Sequence, residues 1–184
     1  TGGVITPDSL TLPQSYFSQL GAQDVLTVVA GHLGLPVVVK PHQGGSGLGV
    51  SYASTADELR SAMVACFAYD ERALIERYVA GTELAVSVVD TGAGPRALPP
   101  VEVVTDGQYD FDARYNPGRS EYFVPARLDE AVIEKVKTTA ITVHTTLGLG
   151  NLSRTDLILS AEIMLVSMDG LNAESMSIRL SLIH

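Results

Sequence analysis

The chain has 184 residues, 46% of them apolar, which is enough for one ordinary domain or two small ones with a real core. A formal net charge of −9 argues against nucleic acid or an anionic membrane as the main partner, although a few local cations can still hold a phosphate. Cys66 is the single cysteine, which excludes an internal disulfide framework and points to a reducing, cytoplasmic setting.

No apolar run is long enough to span a bilayer. The opening TGGVITPDSL has neither the basic start nor the apolar stretch of a signal peptide. It also lacks an initiator Met, so a fragment or a processed product is expected. The first predicted helix runs over about 22–33, with Val25, Leu26, Val29 and Leu33 on one face and Gly34 placed to end it. Pro36-Val37-Val38-Val39-Lys40-Pro41 reads as a buried strand. The glycine-rich turn Gly44-Gly45-Ser46-Gly47-Leu48-Gly49 leads from it into a second strand near Val50–Ala53.

A helix over about 55–68 starts on a capping box, Thr55 with Glu58, and buries Leu59, Ala62, Met63, Cys66 and Phe67. Cys66 is read as core. Ala73–Val79 and Glu83–Val89 read as strands joined by Ala80-Gly81-Thr82, in a hairpin-like pair. The stretch 90–100 is rich in turns, a strand follows at Val101–Val104, and 105–125 reads as a functional loop. A helix near 129–147 buries Val132, Val136, Ala140, Val143 and Leu147, with Gly148 just beyond it. His144 is expected to be a plain residue of its last turn. Ser153–Leu159 reads as a strand, and the mixture is α+β rather than a regular βαβ alternation.

Three places hold residues suited to chemistry. The glycine-rich segment lets backbone amides approach and cradle a phosphate, and Lys40 would set an ammonium beside it. The segment is neither a P-loop nor a dinucleotide fingerprint: no Gly-Lys-Ser/Thr follows, and the glycine spacing is wrong. Taken alone, the loop reads equally as a plain hairpin, and Lys40 as a strand-end lysine reaching solvent. Glu76 and Glu83, seven apart, are acceptor-only carboxylates that suit the amino and hydroxyl groups of a nucleoside, or else a solvated hairpin edge. Arg154 and Asp156, two apart in a strand, share a face; they make either a plain ion pair or a phosphate clamp with a metal ligand.

In order along the chain, Val-Val-Lys-Pro, Gly-Gly-Ser-Gly-Leu-Gly-Val, Ile-Glu-Arg-Tyr-Val-Ala-Gly-Thr-Glu, Tyr-Asp-Phe-Asp-Ala-Arg-Tyr, Pro-Ala-Arg-Leu and Ser-Arg-Thr-Asp-Leu resemble the D-alanine–D-alanine ligase family of ATP-grasp enzymes. The resemblance covers about residues 3–160. It implies an ATP-grasp fold of two α+β subdomains, with the nucleotide held between antiparallel sheets. Residues 1–184 would form that domain, with a smaller lid subdomain at about 15–90 and a larger one at about 91–184 whose C-terminal part is incomplete. The family's N-terminal substrate domain, and an early nucleotide-binding lysine, are expected to be absent.

The resemblance also implies ATP and Mg2+ as cofactors. Lys40 would contact the phosphates, and Gly45, Ser46 and Gly47 would form the lid over them. Glu76 and Val79 would line the adenine pocket, and Glu83 would hold the ribose. Arg114 stands where the family has a lysine in a mobile loop, followed by Tyr115; the two cations differ in geometry. Arg154 would stabilise the transferring phosphoryl group and the tetrahedral intermediate, Asp156 would bind magnesium, and Ser177 would bind substrate. An ungapped continuation puts Val166 and Met168 where the family carries its Glu-x-Asn magnesium ligands, and neither side chain binds magnesium.

The implied reaction phosphorylates the carboxylate of one D-alanine and lets the amine of a second attack the acyl phosphate, giving a dipeptide for peptidoglycan precursors. Another carboxylate–amine pair, or a nucleotide-binding fragment without catalysis, is the alternative. The partners expected are small molecules, with no nucleic acid, no membrane, and a homodimer left open.

Overall fold

The computed structural model describes residues 4–45, 47–105 and 118–160, together with the backbone of 164–166. The chain divides into two compact units. Of the described residues, the N-terminal unit contains 7–45, 47–78, 118 and 119; the C-terminal unit contains 4–6, 79–105, 120–160 and 164–166. Among the described residues no helix is long and apolar enough to cross a membrane.

In the N-terminal unit, β1 (Ser9–Pro13), β4 (Arg72–Arg77), β2 (Val37–Pro41) and β3 (Ser51–Ala53) form an antiparallel sheet in the order β1-β4-β2-β3. The helices are α1 (Ser15–Leu20), α2 (Ala22–Leu33) and α3 (Ala56–Cys66). Strand alternation decides which face is covered. Val37, Val39, Ala73 and Ile75 pack with Val25, Leu26, Val29 and Leu33 of α2 and with Leu59, Ala62, Met63 and Cys66 of α3. Ile75 has no exposed surface, and burial of such a side chain contributes about 1.5–3 kcal/mol.

The start of α3 is fixed by the expected capping box. Thr55 Oγ1 accepts from the Glu58 amide at 3.2 Å, and Glu58 Oε2 accepts from the Thr55 amide at 3.2 Å. Cys66 is core, as the sequence indicates. Burial, reinforced by the nearby Asp70 charge, pushes its thiol up to about 12, so it stays protonated and inert.

In the C-terminal unit, β10 (Met164–Val166), β9 (Leu152–Leu159), β5 (Thr82–Val89), β7 (Val101–Thr105) and β8 (Ser120–Phe123) follow one another in an antiparallel sheet, and β6 (Arg96–Ala97) also pairs with β5. Helix α4 (Glu130–Thr146) covers one face: Val136, Ala140 and Val143 pack on Leu84, Val86, Val88 and Leu157.

Several expectations change. β4 and β5 are consecutive but belong to different sheets, so they form no hairpin. The connection between them is tight: a Cβ on Gly81 would sit 2.5 Å from the Leu159 carbonyl oxygen. β8 lies inside the segment read as a loop, and β1 and α1 lie in a stretch given no element from the sequence. Leu147 falls past the end of α4 and is 41% exposed. His144, read as a plain residue of the last turn, is four residues on from Ala140 on the same helical stripe and so joins the core. It is 2% exposed, and its Nδ1 lies 2.7 Å from Ser153 Oγ.

One charged group is also locked into this unit. Glu102 on β7 accepts from Arg127 three times: the backbone amide at 3.0 Å, Nε at 3.0 Å and Nη2 at 2.7 Å. The guanidinium carbon lies 3.5 Å from the centre of the Phe123 ring, opposite Glu102 on β8. These hydrogen bonds hold the Glu102 carboxyl below the usual carboxylate range. Because the folded value is lowered, the contribution to stability is present above the ordinary glutamate pKa and is lost as pH falls through the lowered one. Arg127→Met is therefore expected to lower the thermal midpoint at pH 7 and to flatten its fall on the acid side. Thermal unfolding followed by circular dichroism from neutral pH down to about pH 3 checks this; parallel curves for parent and variant would contradict it.

Candidate functional site

In the N-terminal unit the β2–β4 register places Val38 opposite Glu76 and Lys40 opposite Leu74. These four residues share the face turned away from α2 and α3. Lys40 Nζ lies 2.5 Å from Glu76 Oε2, and each side chain is only 6% exposed. The expectation of a lysine at the end of β2 holds, but solvent is not what surrounds it. Two full charges out of water require close pairing, because desolvation of each costs several kcal/mol.

Directly after β2 comes the glycine-rich turn. Gly47 and Gly49 have φ of 73° and 72°, in the left-handed region that suits glycine. The Leu48 amide donates to the Gly45 carbonyl at 3.2 Å, and the Val50 amide to the Gly47 carbonyl at 3.3 Å. Ser46 lies outside the described residues. On the strand after the turn, Tyr52 packs edge-on against Tyr78, with ring centroids 5.1 Å apart.

In the C-terminal unit the β5–β9 register pairs Glu83 with Ile158, Ala85 with Asp156, and Ser87 with Arg154. All six residues lie on the face opposite α4. Arg154 grips Asp156 with two bonds, Nε to Oδ1 at 2.8 Å and Nη2 to Oδ2 at 2.9 Å. The Arg154 side chain is 45% exposed and that of Asp156 19%. Glu83, half-buried, stands diagonally from Asp156 across the two strands. Val79, also half-buried, lies in the connection ahead of β5.

The structure thus brings Lys40 to Glu76, and Arg154 to Asp156 with Glu83 beside them. Arg114, Tyr115 and Ser177 lie outside the described residues, as does Met168. Among the described residues no group of three or more His, Cys, Asp or Glu side chains is gathered as a metal cage. The Lys40–Glu76 contact was not read from the sequence, where the two are far apart. The signal available was a glutamate inside the apolar run Ala73-Leu74-Ile75-Glu76, which only a partner makes tolerable.

Residues 3–175 match the family model described as the D-ala D-ala ligase C-terminus. A D-alanine–D-alanine ligase from Halalkalibacterium halodurans is 42% identical over 124 residues, which are 67% of this chain and 41% of that protein. The VanG D-Ala:D-Ser ligase of Enterococcus faecalis is similar in fold, with a TM-score of 0.75 at 21% identity, covering 91% of this chain and 47% of that one. The D-alanine–D-alanine ligase of Bacillus anthracis, solved with ATP, has a TM-score of 0.64 at 25% identity and covers 89% and 49%. The chain therefore spans about half the length of the relatives it matches.

The buried pair gives a direct test. Lys40→Met removes the cation paired with a buried carboxylate and is expected to cost about 3–5 kcal/mol of stability, whereas Lys40→Met with Glu76→Leu is expected to recover much of that loss. Urea denaturation of the two variants and the parent measures the difference; equal losses in the single and double variants would contradict it.

Proposed function

The chain belongs to the D-alanine–D-alanine ligase family, as its C-terminal part with the ATP-grasp fold, and from that membership we propose that it is the nucleotide-binding part of an ATP-dependent carboxylate–amine ligase acting on D-alanine. The observation that carries the reading is the buried Lys40, held by Glu76 at the entrance to the glycine-rich turn. Oriented by Glu76, the Lys40 ammonium would need little further ordering to meet phosphate oxygens.

On this reading the four-stranded sheet takes the phosphates with Lys40 and the amides around Gly45, Ser46 and Gly47. Glu76 and Val79 serve the adenine, and Glu83 accepts from the ribose hydroxyls. Arg154 meets the charge that develops on the transferring phosphoryl group and then on the tetrahedral intermediate. Asp156 keeps Arg154 oriented through its two-point grip. Arg114, followed by Tyr115, meets phosphate charge, and Ser177 contacts the substrate.

A magnesium ion, were one held with the nucleotide, would offset phosphate charge. Asp156 fits as one oxygen ligand, because a carboxylate retains acceptor sites beyond the two that Arg154 uses. The reaction is phosphoryl transfer from ATP to a carboxylate, followed by attack of an amine on the acyl phosphate and release of phosphate. The residues position reactants and neutralise charge; none forms a covalent bond. The D-Ala:D-Ser specificity of one structural relative supports, as a second reading, a different second substrate at the same centre.

Incubation with ATP, magnesium and D-alanine is expected to release phosphate only when D-alanine is present, with the dipeptide found by mass spectrometry. Arg154→Met is expected to lower kcat about a hundredfold to a thousandfold with little change in the KM for ATP. A folded protein that shows no D-alanine-dependent phosphate release would contradict the ligase reading.

A further inference from the structure

We propose that Asp70, with Tyr69, is a positioning residue that sets the glycine-rich turn between β2 and β3; the proposal rests on the reading of that turn as the phosphate-binding segment. The turn has four glycines, Gly44, Gly45, Gly47 and Gly49, and therefore an unusually large conformational entropy to lose when a ligand orders it. Something has to hold its two stems, and the connection between α3 and β4 does so at both.

On the first stem, Asp70 Oδ2 accepts from the Gln43 amide at 2.6 Å, while Oδ1 accepts from the Arg72 amide at 3.0 Å. One carboxylate thus joins the residue two beyond the end of β2 to the first residue of β4. The His42 amide donates to the Arg72 carbonyl at 3.0 Å, which extends the β2–β4 ladder up to this point. Asp70 is itself anchored, since its amide donates to the Cys66 carbonyl at 3.2 Å at the end of α3.

On the second stem, the Tyr69 ring lies flush against Gly49. A Cβ added to Gly49 would fall 2.7 Å from Tyr69 Cδ2 and 2.9 Å from Pro41 Cγ, closer than side chains approach. Gly49 is therefore held between the last residue of β2 and the ring of Tyr69, with a φ of 72° that disfavours any side chain there. Two adjacent residues, Tyr69 and Asp70, fix both ends of a segment that begins three residues after Lys40. Neither needs to touch a nucleotide. They act by leaving less of the turn to be ordered when phosphates arrive.

The chemistry gives a signature that plain structural damage would not. On the reading above the turn serves the nucleotide phosphates, of which ATP carries three and AMP one, so its stems should matter for ATP and little for AMP. In the full chain, Asp70→Ala is expected to weaken ATP binding about tenfold, the scale of losing hydrogen bonds to a charged group, while AMP affinity changes less than twofold. Asp70→Asn, which keeps one acceptor, is expected to lie between parent and Asp70→Ala. Tyr69→Ala is expected to repeat the loss and Tyr69→Phe to restore it, because the ring rather than the hydroxyl meets Gly49.

Isothermal titration with ATP and with AMP reads all of these, with circular dichroism verifying that each variant is folded. A parallel loss of ATP and AMP affinity, or no loss of either, overturns the positioning role. A parent chain that binds no ATP overturns the underlying nucleotide reading instead. Should Asp70→Ala fail to fold, the Tyr69→Ala and Tyr69→Phe pair still decides the matter.

Discussion

Lys40 and Glu76 carry opposite charges on one face of an antiparallel sheet with almost no access to water. That pair constrains which face of each strand can turn inward. The other face of β2 and β4 holds Val37, Val39, Ala73 and Ile75 against two helices. A slip of one residue in either strand would turn a full charge into that core. Register, helix cover and the placement of the glycine-rich turn are therefore not independent. The strand that buries Val37 and Val39 must also end with Lys40 facing Glu76, and it must release the chain at Pro41 into the turn.

The C-terminal unit uses the same alternation to a different end. On β5 and β9 the residues Leu84, Val86, Val88 and Leu157 meet α4, and the residues between them present Glu83, Arg154 and Asp156 on the opposite face. Here the charges are half-exposed rather than buried, and Arg154 is oriented by a two-point bond to Asp156. A cation held in a fixed direction on a rigid strand suits a changing anionic group better than a mobile one, since little reorganisation is needed as charge develops. Each unit thus commits one sheet face to its core and leaves the other for polar work.

Much of this was legible from the chain. The apolar periodicity of α2, the proline-fenced valines of β2, and the Thr55–Glu58 cap all carry strong local signals, and they form as expected. The six ordered segments also pointed to the family that the comparisons establish. What could not be read were facts of pairing. The short turn between β4 and β5 looks like a hairpin, yet the two strands join different sheets, and the clue is the close approach of Gly81 to Leu159, which no local pattern reveals. The Lys40–Glu76 contact depends on the β2–β4 register across an intervening helix and strand. His144 reads as a plain residue of the last turn, and its position on the stripe of Val136 and Ala140 sends it into the core to meet Ser153. Asp70 offered no motif at all, and its importance appears only once its two backbone partners are in place.

The most direct measurement is an ATP titration of the folded chain followed by amide NMR. A nucleotide site built on the four-stranded sheet is expected to shift the amides from Lys40 through Gly49 and those around Glu76 to Val79 as ATP saturates. The exposed Val28 and Val64, on helices α2 and α3 that cover the other face of the sheet, are expected to stay unchanged. An absence of saturable shifts, or shifts confined to residues outside those two segments, would contradict the assignment of this chain to nucleotide binding.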